Sequence, residues 1–129
     1  MEIKNIDHIV LTVADIDKTI AFYTEILGFK VVTFGENRKA LTFGNQKINL
    51  HQKGKEFEPK AEHPTSGSTD LCFISTTDIY KVLEELQQKN IEIIEGIVDR
   101  TGALGKIKSV YFRDPDLNLI EVSNYIHIN

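Results

Sequence analysis

FRDPDLNLIEVSNY, residues 112–125, reads as a strand end, a turn and a second strand. In Asp114-Pro115-Asp116-Leu117-Asn118 the proline fixes φ, and the Asp and Asn side chains are suited to bond nearby backbone, which is the chemistry of a turn. Leu119 to Asn124 then alternates. Ile120 and Val122 share one face, and Leu119, Glu121 and Ser123 share the other, because successive strand side chains point to opposite sides. The Ile/Val face is expected to meet the core. Glu121 then stands mid-strand on the opposite surface, either as a solvated carboxylate or as one held for metal ligation or proton transfer.

The chain is 129 residues long and 41% hydrophobic, which suits one domain of ordinary size. Charged residues make up 26%, the net charge is -4, and no basic stripe is present, so nucleic acid is not an expected partner. No apolar run approaches the roughly 20 residues of a membrane span. The opening MEIKNIDHIVLTV lacks the layout of a secretion signal, and the lone Cys72 has no internal disulfide partner, so cytoplasm is the expected compartment. Cys72 itself is expected to be a small buried hydrophobe.

Upstream of the quoted stretch the same order of elements occurs twice. Ile3 to Val13 alternates as a strand, and Asp15 is a helix N-cap candidate. Ile16, Ile20, Tyr23 and Leu27 follow at helical spacing up to Gly28. Strands are expected at 29–34, 39–43 and 47–52, the last two joined by Gly44-Asn45. KGKEFEPKAEHPTSGST, residues 53–69, reads as a connector. Asp70 to Ser75 then opens a second set. Thr76 or Thr77 is expected to cap a helix with Ile79, Val82, Leu83 and Leu86 inward. Strands follow at 91–98, 106–112 and 117–124, with a loop at 99–105. The expected fold class is therefore α+β, with two pseudo-symmetric βαβββ modules, 1–52 and 70–126, forming a curved mixed sheet around a central cavity.

Residue likeness sets the modules in register. His51 and Glu121 match at an offset of 70, and His8 and Asp70 match by strand face at 62. His8, His51, Asp70 and Glu121 are all expected to face the cavity. Two imidazoles with one or two carboxylates suit one divalent ion, Zn, Mn, Fe, Ni or Co. His8, His51 and Glu121 alone would form a facial triad with open positions. Asp70 is either a fourth ligand or a turn residue that bonds backbone. His63 and His127 are expected to be solvated, and Asp114 and Asp116 to be turn residues. Arg100, Lys108, Tyr111 and Arg113 are candidates for contacting an anionic substrate group.

DHIVLTVADIDKTIAFYTEILGF, INLHQ and YFRDPDLNLIEVSNY resemble the vicinal oxygen chelate superfamily: glyoxalase I, extradiol dioxygenases, and fosfomycin and bleomycin resistance proteins. The resemblance covers nearly the whole chain. It implies paired βαβββ modules, usually a homodimer, and a divalent metal chelated by substrate oxygens. It places the family's first-strand, fourth-strand and last-strand ligands on His8, His51 and Glu121. Asp70 stands where the family usually has His. The function expected is that of a metal-dependent enzyme, lyase- or dioxygenase-like, with Glu121 or Asp70 moving protons on a small substrate. The alternative is a metal-free drug- or small-molecule-binding protein of the bleomycin-resistance type.

Overall fold

The computed structural model describes residues 1–126, which form two compact units that divide between Gly67 and Ser68. Helix α1, Ile16–Glu25, and strands β1 (His8–Val13), β2 (Lys30–Phe34), β3 (Arg38–Phe43) and β4 (Gln46–Gln52) build the first unit. Helix α2, Ile79–Gln88, and strands β5 (Asp70–Ile74), β6 (Glu95–Gly102), β7 (Gly105–Arg113) and β8 (Leu119–Tyr125) build the second. Each unit has one four-stranded sheet, in the orders β1-β4-β3-β2 and β5-β8-β7-β6. The outer pairs β1/β4 and β5/β8 are parallel and the remaining pairs antiparallel. The expected α+β class with two βαβββ modules is the architecture found. His127 lies outside the described residues.

Alternation along the strands decides which sheet face each helix covers. Leu11, Val13, Leu41, Ile48 and Leu50 are buried with Tyr23 of α1. In the second unit Val110, Phe112, Ile120 and Val122 are buried with Ile79, Val82 and Leu86 of α2. Ile120 and Val122 thus take the core side, which puts Glu121 on the open face as the alternation requires.

The helix ends are set by short polar side chains. Asp15 accepts from the Lys18 amide at 3.1 Å and caps α1. Gly28, at φ +71°, ends the turn beyond that helix in a left-handed conformation. The cap of α2 is Asp78, whose carboxylate accepts from the Tyr80 amide at 3.1 Å, rather than Thr76 or Thr77. Strand β6 runs to Gly102, so most of the expected 99–105 loop is strand. DRTG is polar, but it extends an antiparallel ladder in which Asp99 pairs Lys108 and Arg100 pairs Ile107.

Each last strand sends an amide back to its own helix. Gln52 accepts from the Ile16 amide at 3.2 Å and donates to the Ala14 carbonyl at 2.6 Å. Asn124 accepts from the Ile79 amide at 2.7 Å and donates to the carbonyls of Ser75 and Thr77 at 3.0 and 2.9 Å. Replacing Asn124 by Ala frees three backbone groups at once. We expect a loss of about 2 kcal/mol, read as a lower urea midpoint with an unchanged slope. A midpoint within error of the parent would show that water replaces the amide at no cost.

Candidate functional site

The two caps also fix how one module's sequence aligns on the other's. His8 pairs Lys47 in the first sheet, and Asp70 pairs Leu119 in the second. Val10 pairs Asn49, and Cys72 pairs Glu121. Aligning Gln52 with Asn124 therefore keeps His8 over Asp70 at the expected offset of 62 but gives β4 and β8 an offset of 72. The expected match of His51 to Glu121 at 70 is off by one pleat. Asn49 is the counterpart of Glu121, and Ser123 is the counterpart of His51. Residue likeness misled here because the turn from β7 to β8, Asp114 to Asn118, is longer than the two-residue turn from β3 to β4.

On the first unit's open face His8 is exposed and its Nδ1 lies 2.8 Å from Asp7 Oδ2. A carboxylate on one ring nitrogen orients the imidazole and leaves Nε2 for a ligand. Asn49 is only 7% exposed, and its Oδ1 has no hydrogen-bond partner.

His51 is 3% exposed and sits in different company. Its Nε2 lies 3.3 Å from Arg38 Nη2. A guanidinium only donates, so Nε2 accepts and, in the neutral ring, Nδ1 carries the proton. Burial, and then the Arg38 charge, lower the His51 pKa and favour that neutral form. The Arg38 guanidinium lies over the Phe34 ring at 5.1 Å and the Phe57 ring at 4.5 Å. Phe57 also meets His51 edge-on, with centroids 5.6 Å apart. Phe57 comes from the segment expected to be a plain connector. That segment folds back onto the first sheet, where Pro59, Lys60, Ala61 and Pro64 join Val10, Thr12 and His51 around a cavity of about 480 Å³.

The second unit's open face carries a hydrogen-bonded row. Glu121 lies between Cys72 on β5 and Tyr111 on β7. Ser123 Oγ donates to Glu121 Oε2 at 3.3 Å and also meets Ser109 Oγ at 2.6 Å and Cys72 Sγ at 3.3 Å. Tyr111 pairs Glu121 across the ladder, and its hydroxyl accepts from Arg100 Nε at 3.1 Å. Burial raises the Tyr111 pKa, so its hydroxyl keeps its proton. Arg100 is in turn ion-paired with Glu95 at 3.2 Å. Cys72 is exposed, against the expectation of a buried residue, because its strand parity puts it on the open face. Its sulfur is still crowded enough that desolvation leads the causes raising its pKa, so a thiol is favoured over a thiolate.

Asp70 is exposed at the start of β5, and Arg113 is exposed with Nη1 3.4 Å from the Leu117 carbonyl. Lys108 pairs with Asp99 at 3.0 Å, and its strand parity puts it on the helix side of the sheet rather than the open face. Asp114 and Asn118 are turn residues as expected, with Asp114 only 3% exposed. His63 is exposed. Among the described residues no three His, Cys, Asp or Glu side chains are grouped closely enough to share an ion. Sequence reasoning missed Arg38, Asn49, Phe57 and Lys60. One aromatic in the otherwise polar 53–69 segment was the available signal for Phe57.

Two open sheet faces, one carrying imidazoles and the other carboxylates, on a duplicated βαβββ scaffold define the class. The chain belongs to the glyoxalase/bleomycin resistance protein/dioxygenase superfamily, whose family model matches residues 5–122. It is 63% identical to the virulence protein STM3117 of Salmonella typhimurium, over 98% of this chain and 88% of that one. The crystal structure of that protein superposes with a TM-score of 0.97, covering 98% of this chain and 100% of the other. Similarity extends to the glyoxalase domain-containing protein RDO1 of Mycosarcoma maydis, 58% identical over 97% of this chain and 70% of that protein. The metallothiol transferase FosB of Staphylococcus epidermidis is 30% identical over 95% of this chain and 82% of its own length. No helix among the described residues is long and apolar enough to cross a membrane.

Proposed function

We propose that this protein is a divalent-metal-dependent enzyme acting on a small substrate through its oxygens, with His8 on the first unit's open face and Asp70 and Glu121 on the second unit's as candidate metal donors. The observation that carries the reading is the ladder register, in which His8 answers Asp70 and Asn49 answers Glu121 on the two open faces. An imidazole and two carboxylates fit Zn, Mn, Fe, Ni or Co in chemistry and in charge. The similarity to a metallothiol transferase supports metal dependence. When bound, such an ion polarises substrate oxygens as a Lewis acid.

The chain's own groups do the rest. Glu121, held by Ser123, accepts a proton from a substrate carbon or hydroxyl. Tyr111, whose oxygen accepts from Arg100, stands opposite Glu121 on β7 and keeps its own proton. His51 joins the donors only where Arg38 releases Nε2. Unchanged metal affinity in Arg38→Met would keep His51 out of the set. The same reading includes a homodimer, since Val10 and Ile74 on the open faces are 46% and 52% exposed.

The second reading, a metal-free small-molecule binder, is favoured by the 480 Å³ cavity beneath the 53–69 segment. Metal analysis of protein purified without chelators, followed by calorimetric titration of the apoprotein with Zn, Mn, Fe(II), Ni and Co, separates the two. The enzyme reading expects one ion per chain and an affinity that falls as pH drops through the imidazole range, because a bound His must be deprotonated. No uptake of any of these ions would leave the binding protein. Sedimentation showing a monomer at high concentration would remove the dimer.

A further inference from the structure

The His51 tautomer makes one wall of the first unit's cavity a hydrogen-bond donor. Arg38 holds Nε2, so the proton is on Nδ1, which makes no hydrogen bond among the described residues. Lys60 brings an ammonium to the same cavity. Glu58 pairs with it at 2.9 Å, which leaves further N–H donors on the nitrogen. Behind the imidazole the Arg38 charge has no carboxylate partner among the described residues, and its Nε is buried without a hydrogen bond. A guanidinium over two aromatic rings keeps its charge but has no anion among the described residues, and a partly buried charge of this kind gains when one arrives. Glu56 is the nearby acid. It is tied to the Gly54 amide at 2.7 Å, with that hydrogen bond lowering its pKa. Of the remaining lining residues Val10, Pro59, Ala61 and Pro64 are apolar, and Thr12 adds one hydroxyl.

We propose that this cavity binds the carboxylate of a small molecule with an apolar body, seated on His51 Nδ1–H and the Lys60 ammonium with the Arg38 charge behind. It names a substrate class for the enzyme reading, yet the binding itself needs no metal. The two can therefore fail separately.

The test uses benzoate and its neutral isostere benzamide with the full chain in EDTA, followed by NMR with nitrogen-15 on the His ring. Benzoate is expected to shift the His51 Nδ1 resonance and to bind about tenfold more tightly than benzamide, the difference one charge-assisted hydrogen bond makes. Lys60→Met, a change at an exposed residue, should weaken benzoate by about the same factor and leave benzamide alone. His51→Gln keeps a donor in the wall and should bind benzoate more weakly than the parent. Equal binding of the two probes would overturn the proposal, as would benzoate shifts confined to residues outside the cavity. Unchanged benzoate affinity in Lys60→Met and in a folded His51→Gln would also overturn it.

Discussion

Asn118→Ala is expected to lower stability by about 3 kcal/mol, one of the largest effects a single polar substitution in this chain should have. Asn118 is 1% exposed and Asp114 is 3% exposed. Asp114 Oδ1 accepts from the amides of Asp116 and Asn118 at 2.9 and 3.0 Å, and Oδ2 accepts from Asn118 Nδ2 at 2.8 Å. Asn118 Oδ1 accepts from the Thr69 amide at 2.9 Å, which ties this turn to the residue that leads into β5. Alanine at 118 takes the acceptor from the Thr69 amide and one donor from the Asp114 carboxylate, both in a buried place. That is the expensive case, because water cannot replace what is lost. Urea unfolding should show a midpoint lower by roughly 1–2 M at an unchanged slope. Leu117 at the tip is the internal contrast. It is 67% exposed and holds φ +69°, so Leu117→Gly removes strain without removing a contact and should be neutral or stabilising by up to about 1 kcal/mol. An Asn118→Ala midpoint no lower than that of Leu117→Gly would mean that the network is ornamental.

Composition of this turn was enough to recognise it in the sequence. Pro115 and the flanking Asp and Asn residues have strong local preferences, and local preferences survive without tertiary help. The strand faces were legible for a similar reason. A period of two leaves only two choices per strand, and Ile120 and Val122 decide between them. Register is another matter. Sliding a strand by two residues keeps every side chain on its face, so the alternation that placed Glu121 outward could not tell Asn49 from His51 as its counterpart. Hydrogen bonds from Gln52 and Asn124 to their helix ends break the tie, and they depend on backbone positions that residue likeness does not report. The 53–69 segment is the irregular connector expected, but its packing was not legible for a further reason. Its composition is polar, but Phe57 and the prolines give it enough apolar surface to lie on the first sheet. The Arg38–His51 bond is contact information between β3 and β4 and has no signature in either strand alone.

Glu121→Gln is expected to reduce divalent-metal affinity on the order of 100-fold or more, because the substitution keeps the shape and removes the charge. Two carboxylates and a neutral imidazole balance a dication, whereas a neutral amide in place of the Glu121 carboxylate would leave the site with a net positive charge. At short range in a partly desolvated place that imbalance is worth several kcal/mol. Asp70→Ala is expected to do less. Asp70 is exposed at the first position of β5, where water can take its place, while Glu121 is held mid-strand by Ser123. Thermal unfolding offers a readout independent of turnover. Metal at about 100 times its dissociation constant should stabilise the parent by about 2.7 kcal/mol through mass action, and should leave Glu121→Gln near its apo midpoint. The apo midpoints of the two should agree within about 1 kcal/mol, since an amide oxygen can still accept from Ser123. Stoichiometric metal with undiminished affinity in Glu121→Gln would remove Glu121 from the donor set. With it would go the argument drawn from matching positions in the two sheets, and the carboxylate cavity beneath residues 53–69 would stand as the protein's binding site on its own.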